Sequence, residues 1–370
     1  MTRIKCGTLS FAAIIVVLAC LNFFVSIVWQ SRVPHDFKLS NKTPHEGCRT
    51  LWFAGFFDGD NYLNAYAQLY SIALLSSLQA APGLLQPVLL VGHLEEDKKQ
   101  ISLEVQREKD RFYRLVQEQG AIVIHRDENS FQEILNQYYG YHPPSLRQGP
   151  FLRMDIPTII LEHRLFDIEG VCTDDDTVIY TDSDVLFLNL TQTSLEEAKD
   201  IVNGSGNSSA FVAYGPEHKK NEVSVNTGVM LFSPGNFGRH LADILEFGST
   251  HNFEFQSLDQ GLLNAYFDTK PTLRAFLPFE WNYKCYWGYP DATESPPRII
   301  HFHGPKPRRG NQLECLASMN RTSPTCELAK EHPVWSAYEP LINIGFSRDG
   351  GQLANKTLEL CNEFISNSTW

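Results

Sequence analysis

No CxxC pair occurs in the 370-residue sequence, and its eight cysteines are irregularly spaced, which argues against a zinc ribbon or finger. Positive charge is in deficit. The 31 Lys and Arg against 43 Asp and Glu leave a net charge of −12, so no overall field draws in nucleic acid or an anionic membrane. A phosphate-bearing ligand would therefore need a local basic patch. Charged residues make up 20% and hydrophobic residues 43%, with 24 Gly and 20 Pro and neither an internal repeat nor a low-complexity tract. That balance excludes a collagen-like fibre, a coiled coil and a wholly disordered chain. The length suits two to three domains or one large α/β domain.

What the sequence does have begins with an apolar run from Leu9 to Trp29, broken only by Ser10, Asn22 and Ser26. At about 1.5 Å per residue it makes about 31 Å of helix, enough to cross a bilayer core. Arg3 and Lys5 precede it, and positive flanks stay cytoplasmic. The run exceeds the h-region of a cleaved signal peptide and no clear A-x-A site follows, so a single-pass type II anchor is expected. Sequons begin at Asn41, Asn189, Asn203, Asn207, Asn320, Asn355 and Asn367. Cys48, Cys172, Cys285, Cys315, Cys326 and Cys361 follow the anchor, an even set suited to an oxidising lumen with up to three disulfides. The expected organisation is a cytoplasmic tail (1–8), an anchor (9–29), a stem (30–47), a catalytic domain (48–310) and a disulfide-pinned extension (311–370).

Past Cys48 short apolar strands alternate with helices. Strands are expected at Leu51–Phe56, Pro87–Val91 and Ala121–His125, and helices at Tyr62–Gln79, Glu96–Gln119, Phe131–Tyr138 and Leu146–Leu165. This alternation predicts a doubly wound α/β sheet.

Four segments carry chemistry. In Thr177–Leu188 an apolar strand runs into Asp182-Ser183-Asp184, and a second apolar run follows. Ligands of open α/β sheets gather at the carboxyl ends of strands, and two carboxylates there suit a hard divalent cation. The same triplet also reads as a polar turn. Arg298–Arg309 is a short strand ending in His301, Gly304 and Lys306; it reads either as an imidazole ligand with a phosphate-reaching lysine or as a solvated basic turn. Ser257–Asn264 looks like a helix start, with Ser257 as candidate cap and Asp259 at the positive end of the dipole, which leaves Gln260 unexplained. Val225–Phe232 opens with Asn226-Thr227-Gly228, either a turn or hydrogen-bonding groups for a hydroxyl-rich ligand. The run Asp174–Asp176 reads as a solvated loop rather than a calcium site.

In this order, YTDSDVLFL, NTGVMLF, SLDQGLLNAYF, LPFEWNY and IIHFHGPKP resemble the motif set of glycosyltransferase family 8, the glycogenin-like group, over about Leu51 to Arg309. The resemblance implies a GT-A type, Rossmann-like mixed sheet flanked by helices. It also implies a nucleotide-sugar donor (a UDP-sugar), Mn²⁺ with Mg²⁺ as the alternative, and retention of anomeric configuration. A glycan or glycoconjugate acceptor in the Golgi or ER lumen completes that expectation, with no nucleic-acid partner. Position by position, Asp182, Asp184 and His301 correspond to the metal ligands. Arg153 in FLRMD, Ser183, Asn226, Thr227, Gly228, Gly304 and Lys306 correspond to donor-binding positions. Asp259 and Gln260 correspond to the catalytic pair beside the anomeric carbon, and Trp281 and Asn282 to the acceptor side. The sequence departs from the family's HFxGxxKPW: one residue separates Gly304 from Lys306 and Arg308 replaces the Trp, so Arg308 or Arg309 stands beside Lys306 as the diphosphate contact. Either Tyr62 or Tyr66 corresponds to the base-stacking aromatic near the first strand. Front-side displacement and a covalent intermediate on Asp259 are both open. Two other readings are a non-catalytic sugar- or nucleotide-binding scaffold and a haloacid-dehalogenase-type phosphohydrolase; Leu186 departs from the DxDx[TV] pattern of the latter.

Overall fold

The structure is a computed structural model. It describes residues between Gly47 and His301, apart from 58–68, 71–72, 75, 79, 94–102, 128–129, 140–148, 173–176, 189, 204–209, 219–220 and 285–294. The expected anchor, most of the stem and the C-terminal extension lie outside the described residues, as do Gly304, Lys306, Arg308, Arg309, Tyr62, Tyr66 and the 174–176 run. Among the described residues no helix is long and apolar enough to cross a membrane.

Among the described residues seven strands form one sheet in the order β3-β2-β1-β4-β7-β6-β8. They are β1 (Thr50–Phe57), β2 (Leu85–Gly92), β3 (Ile122–Arg126), β4 (Val178–Asp182), β6 (Val212–His218), β7 (Asn221–Phe232) and β8 (Arg274–Phe276). The first four run parallel to one another, whereas β7 runs antiparallel to both β4 and β6. The sheet is therefore mixed. Strands β5 (Val185–Phe187) and β9 (Ile299–His301) form a separate antiparallel pair.

Side chains alternate across β1: Leu51 and Phe53 join one core layer, Trp52, Ala54 and Phe56 the other. Both faces are covered, which is why β1 and β2 read as nearly continuous apolar runs. One layer packs against α3 (Ile156–Glu162), α5 (Pro234–Thr250) and α6 (Asp259–Thr269), the other against α1 (Leu103–Glu118) and α4 (Gln192–Asn203). Each large side chain buried there contributes about 1.5–3 kcal/mol. A disulfide between Cys48 and Cys172 ties the start of β1 to the segment before β4.

The expected helix over Leu146–Leu165 is instead a 3₁₀ turn (Pro150–Asp155), then α3, then a second 3₁₀ turn (Leu165–Asp167). Pro157 sits in the first turn of α3, where a missing N–H is tolerated, and Arg164 at φ 49° ends that run. The Phe131–Tyr138 expectation matches α2 (Gln132–Tyr139).

Strand order places the candidate site. The chain winds from β1 to β2 and β3 on one side, then returns to β4 on the other. This is a topological switch point, where a crevice opens at the carboxyl ends of the flanking strands. Asp182, the last residue of β4, pairs there with Gly55 of β1.

Candidate metal centre

After Asp182 the chain bends at Ser183 and Asp184, leaves the large sheet and enters β5. Ser183 and Asp184 are both buried. The β5–β9 register sets Val185 opposite His301, so the imidazole arrives one residue beyond Asp184. Its Nε2 lies 3.7 Å from Asp182 Oδ2 and 3.6 Å from Asp184 Oδ1. One ligand atom from each of the three residues falls within 4.8 Å of the others. Burial lowers the His301 pKa to about 4 against the pull of Asp182, so at neutral pH the ring is uncharged and can offer a lone pair. Two carboxylates and a neutral imidazole form a mixed oxygen–nitrogen donor set that fits Mn²⁺ or a similar divalent cation.

Strand β7 brings the Asn226-Thr227-Gly228 triplet to the same place as a bulge rather than the turn considered from sequence. Tyr214 opposes Met230 and Gly215 opposes Asn226, so Thr227, Gly228 and Val229 are extra on the β7 side. Groups freed from a ladder must find other partners, and here side chains supply them. Gln260 Oε1 accepts from Thr227 N (3.2 Å) and Asn226 Nδ2 (3.3 Å), and Asn226 Oδ1 accepts from Gly228 N (3.1 Å). Arg153 Nη1 donates to the Thr227 carbonyl.

Arg153 is almost fully buried and engages the protein on every side. Its Nε donates to the Pro150 carbonyl (2.9 Å), Nη2 pairs with Asp182 Oδ1 (3.1 Å), and the guanidinium lies 4.6 Å from the centroid of the Tyr180 ring. Nε is also 3.1 Å from Asp259 Oδ2, at an angle that leaves this oxygen without a directed hydrogen bond. Burial opposes the Arg153 charge, but Asp259, Tyr180 and Asp182 more than reverse it and the pKa rises. Burial pushes Asp259 up to about 6 despite Arg153, with Asp182 adding to the rise. Arg126 Nε, at the end of β3, pairs with Asp155 Oδ2 (2.8 Å) and so fixes the 3₁₀ turn that carries Arg153.

Asp259 and Gln260 open α6, but Ser257 does not cap it. Ser257 (φ 65°) and Leu258 (φ 54°) both have positive φ, which moves the cap position to Leu258, a residue with no side-chain acceptor. Two such residues in succession are strained, and the strain coincides with the delivery of Asp259 and Gln260 to the site. A Cβ on Gly261 would lie 1.9 Å from the Gln256 carbonyl oxygen, so the tight entry also requires glycine there.

Trp281 and Asn282 end a 3₁₀ turn (Phe279–Asn282), and both are buried. Trp281 packs in the core layer with Trp52 and Phe187, whereas Asn282 Oδ1 meets His301 Nδ1 at 2.9 Å. The structure thus brings Asp182, Ser183, Asp184, Arg153, Asn226, Thr227, Gly228, Asp259, Gln260, Asn282 and His301 to one crevice. Sequence reasoning passed over Asn264, Glu217 and Lys284. Asn264 Oδ1 accepts from Val225 N (2.9 Å) and its Nδ2 donates to Val225 O (3.2 Å), opposite Pro216, which has no N–H. An Asn one turn after Gln260 was the available signal.

No protein-family model matches the chain, and no curated protein sequence matches it. Several solved structures similar to it are glycosyltransferases. Mouse xyloside xylosyltransferase 1 is 17% identical with a TM-score of 0.42, the match covering 68% of this chain and 97% of that one. GlyE of Streptococcus pneumoniae TIGR4 is 17% identical with a TM-score of 0.45, covering 82% of this chain and 64% of that one. A glycosyltransferase involved in glycosylation of the major capsid of PBCV-1 is 13% identical with a TM-score of 0.36, covering 69% and 93%.

Proposed function

We propose that the chain is a metal-dependent retaining glycosyltransferase that moves a sugar from a UDP-sugar donor to a glycan, glycoprotein or glycolipid. One observation carries this reading: Asp182, Asp184 and a neutral His301 converge at the switch point of an α/β sheet. The ordered motif set read from the sequence supports it.

Asp182, Asp184 and His301 would hold a divalent cation, Mn²⁺ foremost, whose positive charge would stabilise a diphosphate leaving group. The protein's own groups do the rest. Asp182 and Asp184 provide the carboxylates and His301 an uncharged nitrogen. The Thr227–Gly228 bulge and Gln260 form a preset polar wall on which sugar hydroxyls are oriented. Asp259 is buried against Arg153 and shielded from solvent. That setting suits a fixed charge partner better than an attacking nucleophile, and it favours acceptor attack from the face the diphosphate leaves. Lys306, Arg308 or Arg309 would supply the local basic patch that the overall charge of −12 denies elsewhere. A type II anchor over Leu9–Trp29 would place this chemistry in the Golgi or ER lumen.

The test is donor turnover by the purified full chain with Mn²⁺ and a panel of nucleotide sugars, with EDTA and Asp184→Ala as controls. Metal-dependent release of nucleotide from one donor is the expected result. Phosphate release from a generic aryl phosphate in place of donor turnover would sink the proposal in favour of a phosphohydrolase. Metal-dependent UDP binding without turnover, even across a panel of acceptors, would leave a non-catalytic binder.

A further inference from the structure

Behind His301 runs a chain of buried and half-buried polar side chains whose direction is fixed at both ends. Asn282 Nδ2 lies 3.1 Å from the Pro216 carbonyl, and a carbonyl can only accept. The amide is thereby oriented, and its Oδ1 must be the group that faces His301 Nδ1 at 2.9 Å. Nδ1 then carries the proton, which leaves the lone pair on Nε2, the nitrogen nearest Asp182 and Asp184. At the other end Glu217 is acceptor-only. Asn226 Nδ2 donates to Glu217 Oε2 (2.7 Å), so Asn226 Oδ1 points back and accepts from Asn282 Nδ2 (3.2 Å). Lys284, fully buried, pairs with Glu217 Oε1 (3.0 Å) and donates to the Glu217 carbonyl (3.1 Å). Glycine completes the arrangement: a Cβ on Gly215 would fall 2.4 Å from Cβ of Asn282.

We propose that Asn282, oriented by the Pro216 carbonyl and by the chain Asn226–Glu217–Lys284, is a positioning residue of the metal centre that holds His301 as the Nδ1–H tautomer with Nε2 bare. The inference rests on the reading of Asp182, Asp184 and His301 as metal ligands. It gives Asn282 a role other than the acceptor-side contact expected from the sequence. It also gives a role to Lys284, a fully buried lysine whose desolvation the half-buried Glu217 offsets only in part. Outer partners of a ligating histidine set its tautomer and basicity, and losing them costs about 10–100-fold in metal affinity.

The experiment uses the full chain labelled with ¹⁵N-histidine, metal-free, to read the His301 tautomer by NMR, with His301→Gln to assign the signal. Mn²⁺ affinity is then followed by EPR of the free ion, alongside urea unfolding. Wild type should show Nδ1–H at His301. Asn282→Ala should lose about 10–100-fold in Mn²⁺ affinity. Asn282→Asp keeps the acceptor for Nδ1–H but sets a carboxylate against the Pro216 carbonyl and Asn226 Oδ1, so it should be less stable than Asn282→Ala yet bind Mn²⁺ more tightly. A merely structural role would make affinity follow stability in both variants, and that result overturns the proposal. An Nε2–H tautomer in a wild type that binds Mn²⁺ overturns it alone. The Nδ1–H tautomer in a wild type with no Mn²⁺ affinity overturns the metal reading itself, and the proposal with it.

Discussion

Gly228 lies against the imidazole edge of His301 so closely that a Cβ on it would sit 2.2 Å from Cε1. The same methyl would be 2.8 Å from Asp182 Oδ2 and 2.9 Å from Asn226 Oδ1. Neither strand can yield freely, because Thr181 pairs with Val229 and His301 is held by β5. Gly228→Ala should therefore push His301 out of line, destabilising the fold by about 1–3 kcal/mol as overpacking does. Mn²⁺ binding should fall by more than the stability loss explains. Urea unfolding and Mn²⁺ EPR check both halves; wild-type affinity in the variant would show that the ring has room to move.

The parts legible in the sequence were those fixed by local pattern. A strand buried on both faces must be apolar throughout, so β1, β2 and β4 stood out, and the polar ends of β4 and β9 marked the crevice. The bulge at Thr227–Gly228 was not legible, because a polar triplet with glycine fits a turn as well as an interrupted ladder. Nor was the uncapped entry to α6: Ser257 has the right chemistry for a cap, and only its positive φ disqualifies it. Glu217 and Lys284 belong to none of the motifs that stood out. Lysine is seldom fully buried unless paired, and the pairing spans 67 residues, beyond any local signal.

Asp259 gives a pH prediction with a definite sign. Its pKa is raised from 3.8 to about 6, so between those values the folded state holds a proton that the unfolded state has released. Stability therefore falls as pH rises through that window, by about 3 kcal/mol for a shift of about two units. The lowered His301 pKa has the opposite slope, but it is common to wild type and to Asp259→Asn. In EDTA, the stability of Asp259→Asn minus that of wild type should climb from pH 4 to 6 and level off above pH 7. A flat difference would mean that Arg153 cancels the burial of Asp259 outright.

The Cys48–Cys172 disulfide spans a sequence separation of 124 and closes β1 onto the segment leading into β4. Arg49 N donates to Gly170 O (2.7 Å) and Cys172 N to Arg49 O (2.9 Å), so the bridge sits on a local ladder that also aligns the two strands. Removing both sulfurs with Cys48→Ser and Cys172→Ser should cost about 2–5 kcal/mol, chiefly by freeing the unfolded chain. The check is the urea midpoint of the double variant beside wild type with and without reductant. An unchanged midpoint would show that the ladder alone holds this junction.

Arg153 separates charge from shape at the site. A lysine there keeps the positive charge but has a single nitrogen, whereas the guanidinium reaches Asp182, Asp259, the Pro150 carbonyl and the Thr227 carbonyl together. Arg153→Lys should leave the Thr227 carbonyl unpaired in a buried bulge, at a cost of about 1–3 kcal/mol. Arg153→Met, which strands Asp259 without a counter-charge, should cost about 3–5 kcal/mol. Donor turnover distinguishes the two roles. If Arg153 serves mainly as a charge for the donor phosphates, the lysine variant keeps most of the wild-type kcat. The contacts in the structure point the other way: every nitrogen of Arg153 already faces the protein. The lysine variant should therefore lose turnover nearly as fully as the methionine variant while retaining more stability. A lysine variant with near wild-type kcat would overturn the view that Arg153 works by shaping the Thr227–Gly228 bulge.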